Sequence, residues 1–125
     1  MTPNPNSPLA GCPDAVRAYM SLTAGDDHAS AIVSFTGAAH VTDDGRDYHG
    51  TSEIRAWLDR AASEYTYTAT PLSVRTDDTT GETTVTCRLR GTFPGSPVDL
   101  DYRFRLGDTD RISRLEITSA RGAAG

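Results

Sequence analysis

Two periodicities divide the chain. Up to about residue 65 the apolar positions recur every three or four residues, and beyond it they recur every second residue. The spacing predicts a first helix over "DAVRAYMSLTAG", with Asp14 as its N-cap, Gly25 closing it, and Val16, Tyr19, Met20 and Thr23 on one face. A short second helix over "DDHASAIVSF" opens at Asp26 or Asp27 and buries Ala29, Ile32 and Val33. The third, capped by Thr51, carries the strongest pattern: Ile54, Trp57, Leu58, Ala61, Ala62 and Tyr65 fall at i, i+3, i+4, i+7, i+8 and i+11. Arg55 and Asp59, four apart on its outer face, read as a solvated pair.

From "YTYTATPLSVR" onward the pattern is that of strands. "ETTVTCRLRGTF", "VDLDYRFRL" and "RISRLEIT" follow, separated by "TDDTTG", "PGSP" and "GDTD". Val98, Leu100, Tyr102, Phe104 and Leu106 alternate with Asp99, Asp101, Arg103 and Arg105, and Val85, Cys87 and Leu89 alternate with Thr84, Thr86, Arg88 and Arg90. Such strands form an antiparallel sheet with one apolar and one polar face. The order helix, helix, short hairpin, helix, four strands defines an α+β domain with three helices against one side of a curved antiparallel sheet. Residues 1–13, rich in proline, read as a disordered leader; 14–118 form the domain; 119–125 read as a flexible tail.

Composition narrows the partners. A chain of 125 residues is one domain, long enough to bury roughly two-thirds of its unfolded surface. Its net charge of −5 argues against nucleic acid. All twelve basic residues are arginine, so a lysine Schiff base is excluded. The two cysteines, Cys12 and Cys87, make no disulfide framework, and the three histidines are too scattered to read as a zinc site, so no metal is expected. No apolar run approaches the roughly 20 residues of a membrane span, and the N-terminus lacks a signal-peptide pattern; no membrane partner and a cytoplasmic location are expected.

The densest chemistry lies in "HVTDDGRDYHG", residues 40–50. Most of it reads as a hairpin, with Asp44 and Gly45 at the turn and Asp47 in solvent. Alternation along "AAHVTD" puts Ala39, Val41 and Asp43 on one face and His40 and Thr42 on the other, so Asp43 continues an apolar, inward row.

The arrangement "AGDD…SF…AAHVTDDG…YHGTSEIRAWL" resembles the NTF2-like superfamily, in its SnoaL-like, ketosteroid-isomerase-like branch, over about residues 14–118. The resemblance implies a cone, a bent sheet wrapped around the helices with an internal apolar pocket, and a homodimer through the outer sheet face. In ketosteroid isomerases the base is an aspartate eight residues after the phenylalanine that closes the second helix; counted from Phe35, that position is Asp43. The family's helix-one tyrosine falls on Ala18, with Tyr19 one residue on, and its late-strand acid falls on Tyr102.

The resemblance therefore implies a cofactor-free enzyme that abstracts a proton next to a carbonyl of a hydrophobic small molecule, as an isomerase, aldol cyclase or dehydratase. Asp43 is the expected base and Tyr102 the donor to the enolate oxygen. Tyr19, Phe35, Tyr48, His49, Trp57 and Phe104 are the expected substrate-binding residues. Two other readings stand beside it. One is a noncatalytic ligand-binding or dimerisation module of the same fold, in which Asp43 is exposed or tied up by backbone N–H groups. The other is an epoxide hydrolase or epoxide-opening cyclase with an Asp–Arg–Asp site. Asp101 and Arg103 share a face, but alternation turns that face outward, toward Arg88 and Arg90 of the neighbouring strand or a dimer contact.

Overall fold

A computed structural model describes residues 12–24, 28–43, 45–64, 67–77, 79–92, 95–107 and 110–119 of the chain. The leader before Cys12, Gly25, the N-cap at Asp26 or Asp27, Asp44, Tyr65, the end of the tail and the side chains of Ala29, Ala61 and Ala62 lie outside this description. The element order is α1 (Asp14–Ala24), a 3-10 helix (His28–Ser34), β1 (Phe35–Asp43), β2 (Arg46–His49), α2 (Gly50–Glu64), β3 (Tyr67–Thr76), β4 (Thr83–Gly91), β5 (Val98–Leu106) and β6 (Ile112–Ser119). The described residues thus form two α-helices and a six-stranded curved sheet, ordered β2-β1-β6-β5-β4-β3.

The second expected helix differs from its prediction. Residues His28–Ser34 wind as a 3-10 helix, and Phe35 begins a strand rather than closing a helix. Positions three apart eclipse in that winding, so Ala31 and Ser34 are buried while Val33 is 64% exposed, the reverse of its expected burial. The helix starts are also shifted. The Pro13 carbonyl accepts the first helical bond, from Arg17, and Asp14 sits inside the first turn, where its charge suits the helix dipole. Helix α2 begins at Gly50, before Thr51, and the positive φ of 80° there suits glycine. Glu53 Oε1 accepts from the His49 N–H at 2.8 Å across that first turn.

Nor is the sheet wholly antiparallel: β1 and β6 run parallel, with Val41 opposite Leu115 and Asp43 opposite Ile117. Register shifts between Phe35 and His40, between Pro71 and Ser73, and between Arg105 and Leu106 mark bulges, which bend strands and curve the sheet. Pro71 sits in β3, an edge strand, where a missing N–H is tolerated.

The core fills the concave side. Val16, Tyr19 and Met20 of α1 and Ile54, Trp57 and Leu58 of α2 meet Val85, Cys87 and Leu89 of β4, Tyr102 and Phe104 of β5, and Ile112, Leu115 and Ile117 of β6. Cys12 joins this cluster although its sequence surroundings read as leader. A 15-residue helix is marginal alone; burial of Ile54, Trp57 and Leu58, at about 1.5–3 kcal/mol per side chain, holds α2 in place.

Candidate active site

Asp43 ends β1, the strand paired on both sides, so its backbone is fixed by Arg46 across the hairpin and Ile117 across the parallel ladder. Ala39 and Val41, earlier in the same row, are fully buried. The Asp43 side chain, half-buried at the strand end, points to the same side. Its Oδ2 accepts a hydrogen bond from Trp57 Nε1 at 3.0 Å. Trp57 lies with its ring 5.9 Å from that of Tyr48, whose hydroxyl accepts from Arg60 Nη2 at 2.9 Å. Helix α2 therefore positions the carboxylate through an indole N–H.

A cluster of aromatic rings adjoins it. Tyr19 meets Phe35 edge-on at 5.7 Å and Phe104 at 5.5 Å, and Tyr102 stacks on Phe104 at 6.4 Å. Burial first, then the Tyr102 and Tyr67 phenols, then the Asp43 carboxylate hold the Tyr19 phenol well above its usual range. For Tyr102 the causes run burial, Tyr67, Cys87 and Asp43, and for Tyr67 burial and then Asp43. Three phenols thus lie within the field of one carboxylate and stay protonated at neutral pH. Tyr19 is 3% and Tyr102 6% exposed, and among the described residues neither hydroxyl has a hydrogen-bond partner. Buried hydroxyls are ordinarily paired.

The structure brings together Asp43, Trp57 and Tyr48 on one side and Tyr19, Phe35, Tyr102 and Phe104 on the other, all on the inner face. Tyr19, not Ala18, turns inward. His49 departs from expectation: it is exposed on the outer face, its ring stacked on His40 at 4.1 Å, because neighbouring Tyr48 takes the inward position of β2. Tyr67 was missed, although "YTYTA" sets aromatic residues two apart at the head of an edge strand. Nothing local signals the Trp57–Asp43 bond, which spans 14 residues.

The histidines, scattered in sequence, are partly gathered by the fold. Asp43 pairs with Arg46, which makes His40 the register partner of His49. Asp47 Oδ1 lies 3.1 Å from His40 Nε2 and accepts from the Thr42 hydroxyl at 2.7 Å. The Thr42 bond first, and His40 second, hold the Asp47 carboxyl below its usual range.

Asp101 and Arg103 lie on the outer face too. Asp101 accepts from Thr86 at 2.5 Å and stands 3.8 Å from Arg75, while Arg103 meets Glu116 at 3.3 Å. The expected partners differ, since Arg88 is taken by Asp99 through bonds of 2.9 and 3.2 Å. A hollow of about 320 Å³ lined by Arg88, Arg90, Gly95, Pro97, Val98 and Asp99 opens at that end of the sheet. Its charged walls belong to the polar face, opposite Asp43.

No family model matches the chain, and no curated protein matches it in sequence. Among solved structures, a protein from Sinorhizobium meliloti described as a candidate polyketide cyclase is 35% identical, superposes with a TM-score of 0.78, and is matched over 85% of this chain and 94% of its own. The epoxide hydrolase/cyclase-like enzyme SalBIII of salinomycin pyran-ring formation gives 0.72 at 15% identity, over 86% of this chain and 88% of its own. A Catenulispora acidiphila protein with a ketosteroid-isomerase-like fold, in complex with trimethylamine, gives 0.72 at 17% identity, over 85% of each chain. The last two share the fold alone. The chain belongs to the NTF2-like superfamily, in the SnoaL-like and ketosteroid-isomerase-like branch.

Proposed function

We propose that the protein is a cofactor-free enzyme that abstracts a proton next to a carbonyl of a hydrophobic small molecule, with Asp43 as the base. The observation that carries this reading is the half-buried Asp43 carboxylate, at the end of an inward strand row and hydrogen-bonded by Trp57 Nε1 at 3.0 Å, with the phenols of Tyr19, Tyr67 and Tyr102 within its electrostatic field.

In the proposed reaction Asp43 takes the α-proton, the C–H electron pair forms the enolate double bond, and the charge collects on the carbonyl oxygen. Tyr102 donates to that oxygen, and Tyr19 and Tyr67 are placed to share the task. The base contributes roughly 10²–10⁴-fold and the donors most of the remainder. Returning the proton to another carbon isomerises the substrate. Attack of the enolate carbon on a second carbonyl closes a ring by aldol addition, the new alkoxide taking the proton back from Asp43, and expulsion of a β-hydroxyl, which leaves as water with that proton, dehydrates the substrate. The Sinorhizobium relative's description favours ring closure. This reading requires an apolar pocket, for which Phe35, Tyr48, Trp57 and Phe104 are the proposed walls, and a homodimer in the cytoplasm belongs to the same proposal.

Deuterium incorporation from D₂O into cyclic ketones and polyketide-like β-diketones tests the base. Wild type is expected to accelerate exchange, and Asp43→Asn to lose about 10²-fold or more of it. Equal exchange by both proteins removes Asp43 from the reaction. Saturable binding of the same compounds, with no exchange by either protein, leaves the noncatalytic binding module in its place.

A further inference from the structure

The outer face of the β1–β2 hairpin carries a group that the chemistry at Asp43 does not use. His40 and His49 face one another across the hairpin, and Asp47 precedes His49 by two residues on the same face of β2. One ligand atom from each of His40, Asp47 and His49 lies within 4.8 Å of the others. We propose that these three side chains form a binding site for a divalent transition-metal ion of the zinc, nickel or copper class.

Three features of the geometry support the site. First, zinc–ligand distances of about 2.0–2.1 Å set tetrahedral ligand–ligand edges near 3.3 Å, and His40 Nε2 already stands 3.1 Å from Asp47 Oδ1. That edge needs no rearrangement; the second imidazole closes onto it by rotating its ring. Second, the backbone beneath is stiff. Strand β1 is paired on both sides, and four consecutive register pairs tie β2 to it, so the three Cβ atoms are held whether or not an ion is present. Third, the way in is open, since the His40 side chain is 29% and the Asp47 side chain 55% exposed. Two imidazoles and one carboxylate make a borderline donor set that favours zinc, nickel or copper over magnesium or calcium. The remaining coordination positions fall to water.

Arg114 opposes the ion and supplies a sharp test. Its Nη1 donates to His40 Nδ1 at 2.8 Å, which keeps the His40 proton on Nε2, the atom that would ligate. An ion at Nε2 moves that proton to Nδ1, and Arg114, a donor with no acceptor, must swing away. Arg114→Gln puts a carbonyl oxygen within reach of Nδ1–H and removes a positive charge beside the site.

Titration of the untagged full chain with zinc and with nickel, read against a chromophoric chelator, tests the proposal. One equivalent is expected to bind. His40→Ala and His49→Ala should each weaken it about 10-fold or more, and Arg114→Gln should tighten it by about 10–100-fold, the usual reach of an outer-shell partner. Cobalt bound to the Arg114→Gln variant should show the ligand-field bands of a low-coordinate site. Wild type binding no more tightly than the His40→Ala/His49→Ala double variant overturns the proposal. So does an Arg114→Gln variant that binds more weakly than wild type. The readout is metal affinity, so it is independent of whether Asp43 acts as a base.

Discussion

Replacing Tyr102 by phenylalanine sets stability against activity. Its ring stacks on Phe104 at 6.4 Å with planes 12° apart, and that packing survives the change. What is lost is one hydroxyl, on a residue 6% exposed, with no hydrogen-bond partner among the described residues. A buried polar group left unpaired costs about 1–3 kcal/mol. Tyr102→Phe should therefore leave the fold as stable as before or raise its stability by up to that amount. For a domain of this size each kcal/mol moves the melting temperature by about 4 °C. A tyrosine serving only the core, with its hydroxyl satisfied, would instead lose about 1 kcal/mol. Removing an oxyanion donor should meanwhile lower the exchange rate by about 10²-fold or more. Urea denaturation supplies the stability arm without any substrate, and D₂O exchange supplies the other. A loss of 1 kcal/mol or more with undiminished exchange refutes the reasoning, because the hydroxyl would then be structural.

Other outcomes follow from the same geometry. Phe104, 1% exposed and in contact with the Tyr19 and Tyr102 rings, should cost about 3–5 kcal/mol when cut to alanine, measured by denaturant titration. The Tyr19, Tyr67 and Tyr102 phenols titrate higher in the fold than in the unfolded chain. The unfolded state therefore releases these protons first once the pH passes about 10, and stability present below that point falls with rising pH. Tyrosinate absorbance should accordingly appear together with the loss of tertiary circular dichroism, and ionisation of all five tyrosines ahead of unfolding would contradict it. Burial, with Cys12 second, pushes the Cys87 thiol up to about 12, and burial likewise raises Cys12 against the opposing pull of Arg17. Both thiols should resist a disulfide reagent in the native protein and react on unfolding.

The parts of this molecule that were legible in sequence are those where one local period decides the outcome. Alternation in β4 and β5 placed Val85, Cys87, Leu89, Tyr102 and Phe104 inside, and the 3.6-residue stripe of α2 placed Ile54, Trp57 and Leu58 there as well. The inward row that ends at Asp43 was legible because strand alternation sets it on one face with Ala39 and Val41, both fully buried. The failures involve relations between distant segments. The parallel β1–β6 pairing depends on where a four-strand meander ends, which no local pattern carries. Val33 was misplaced because 3-10 winding changes which residues share a face. His49 stands among the expected substrate-binding residues, although hairpin pairing reckoned from the Asp44–Gly45 turn sets it opposite His40 and outward.

That same pairing explains why the position of Asp43, more than its charge, should decide activity. Two ladders fix its backbone and the Trp57 N–H fixes one carboxylate oxygen, so its other oxygen has little freedom left. Asp43→Glu tests this directly. Charge and intrinsic acidity are nearly kept, but the added methylene shifts the carboxylate by on the order of 1 Å, and a displacement of that size costs about 10²-fold in a positioned reaction. The glutamate cannot hold the Trp57 bond and also reach the site of the native oxygen. Its exchange rate should fall nearly as far as that of Asp43→Asn, with stability changed by less than about 1.5 kcal/mol. A glutamate variant as fast as wild type would mean that a loosely placed carboxylate suffices, and that the Trp57 bond has no part in positioning the base.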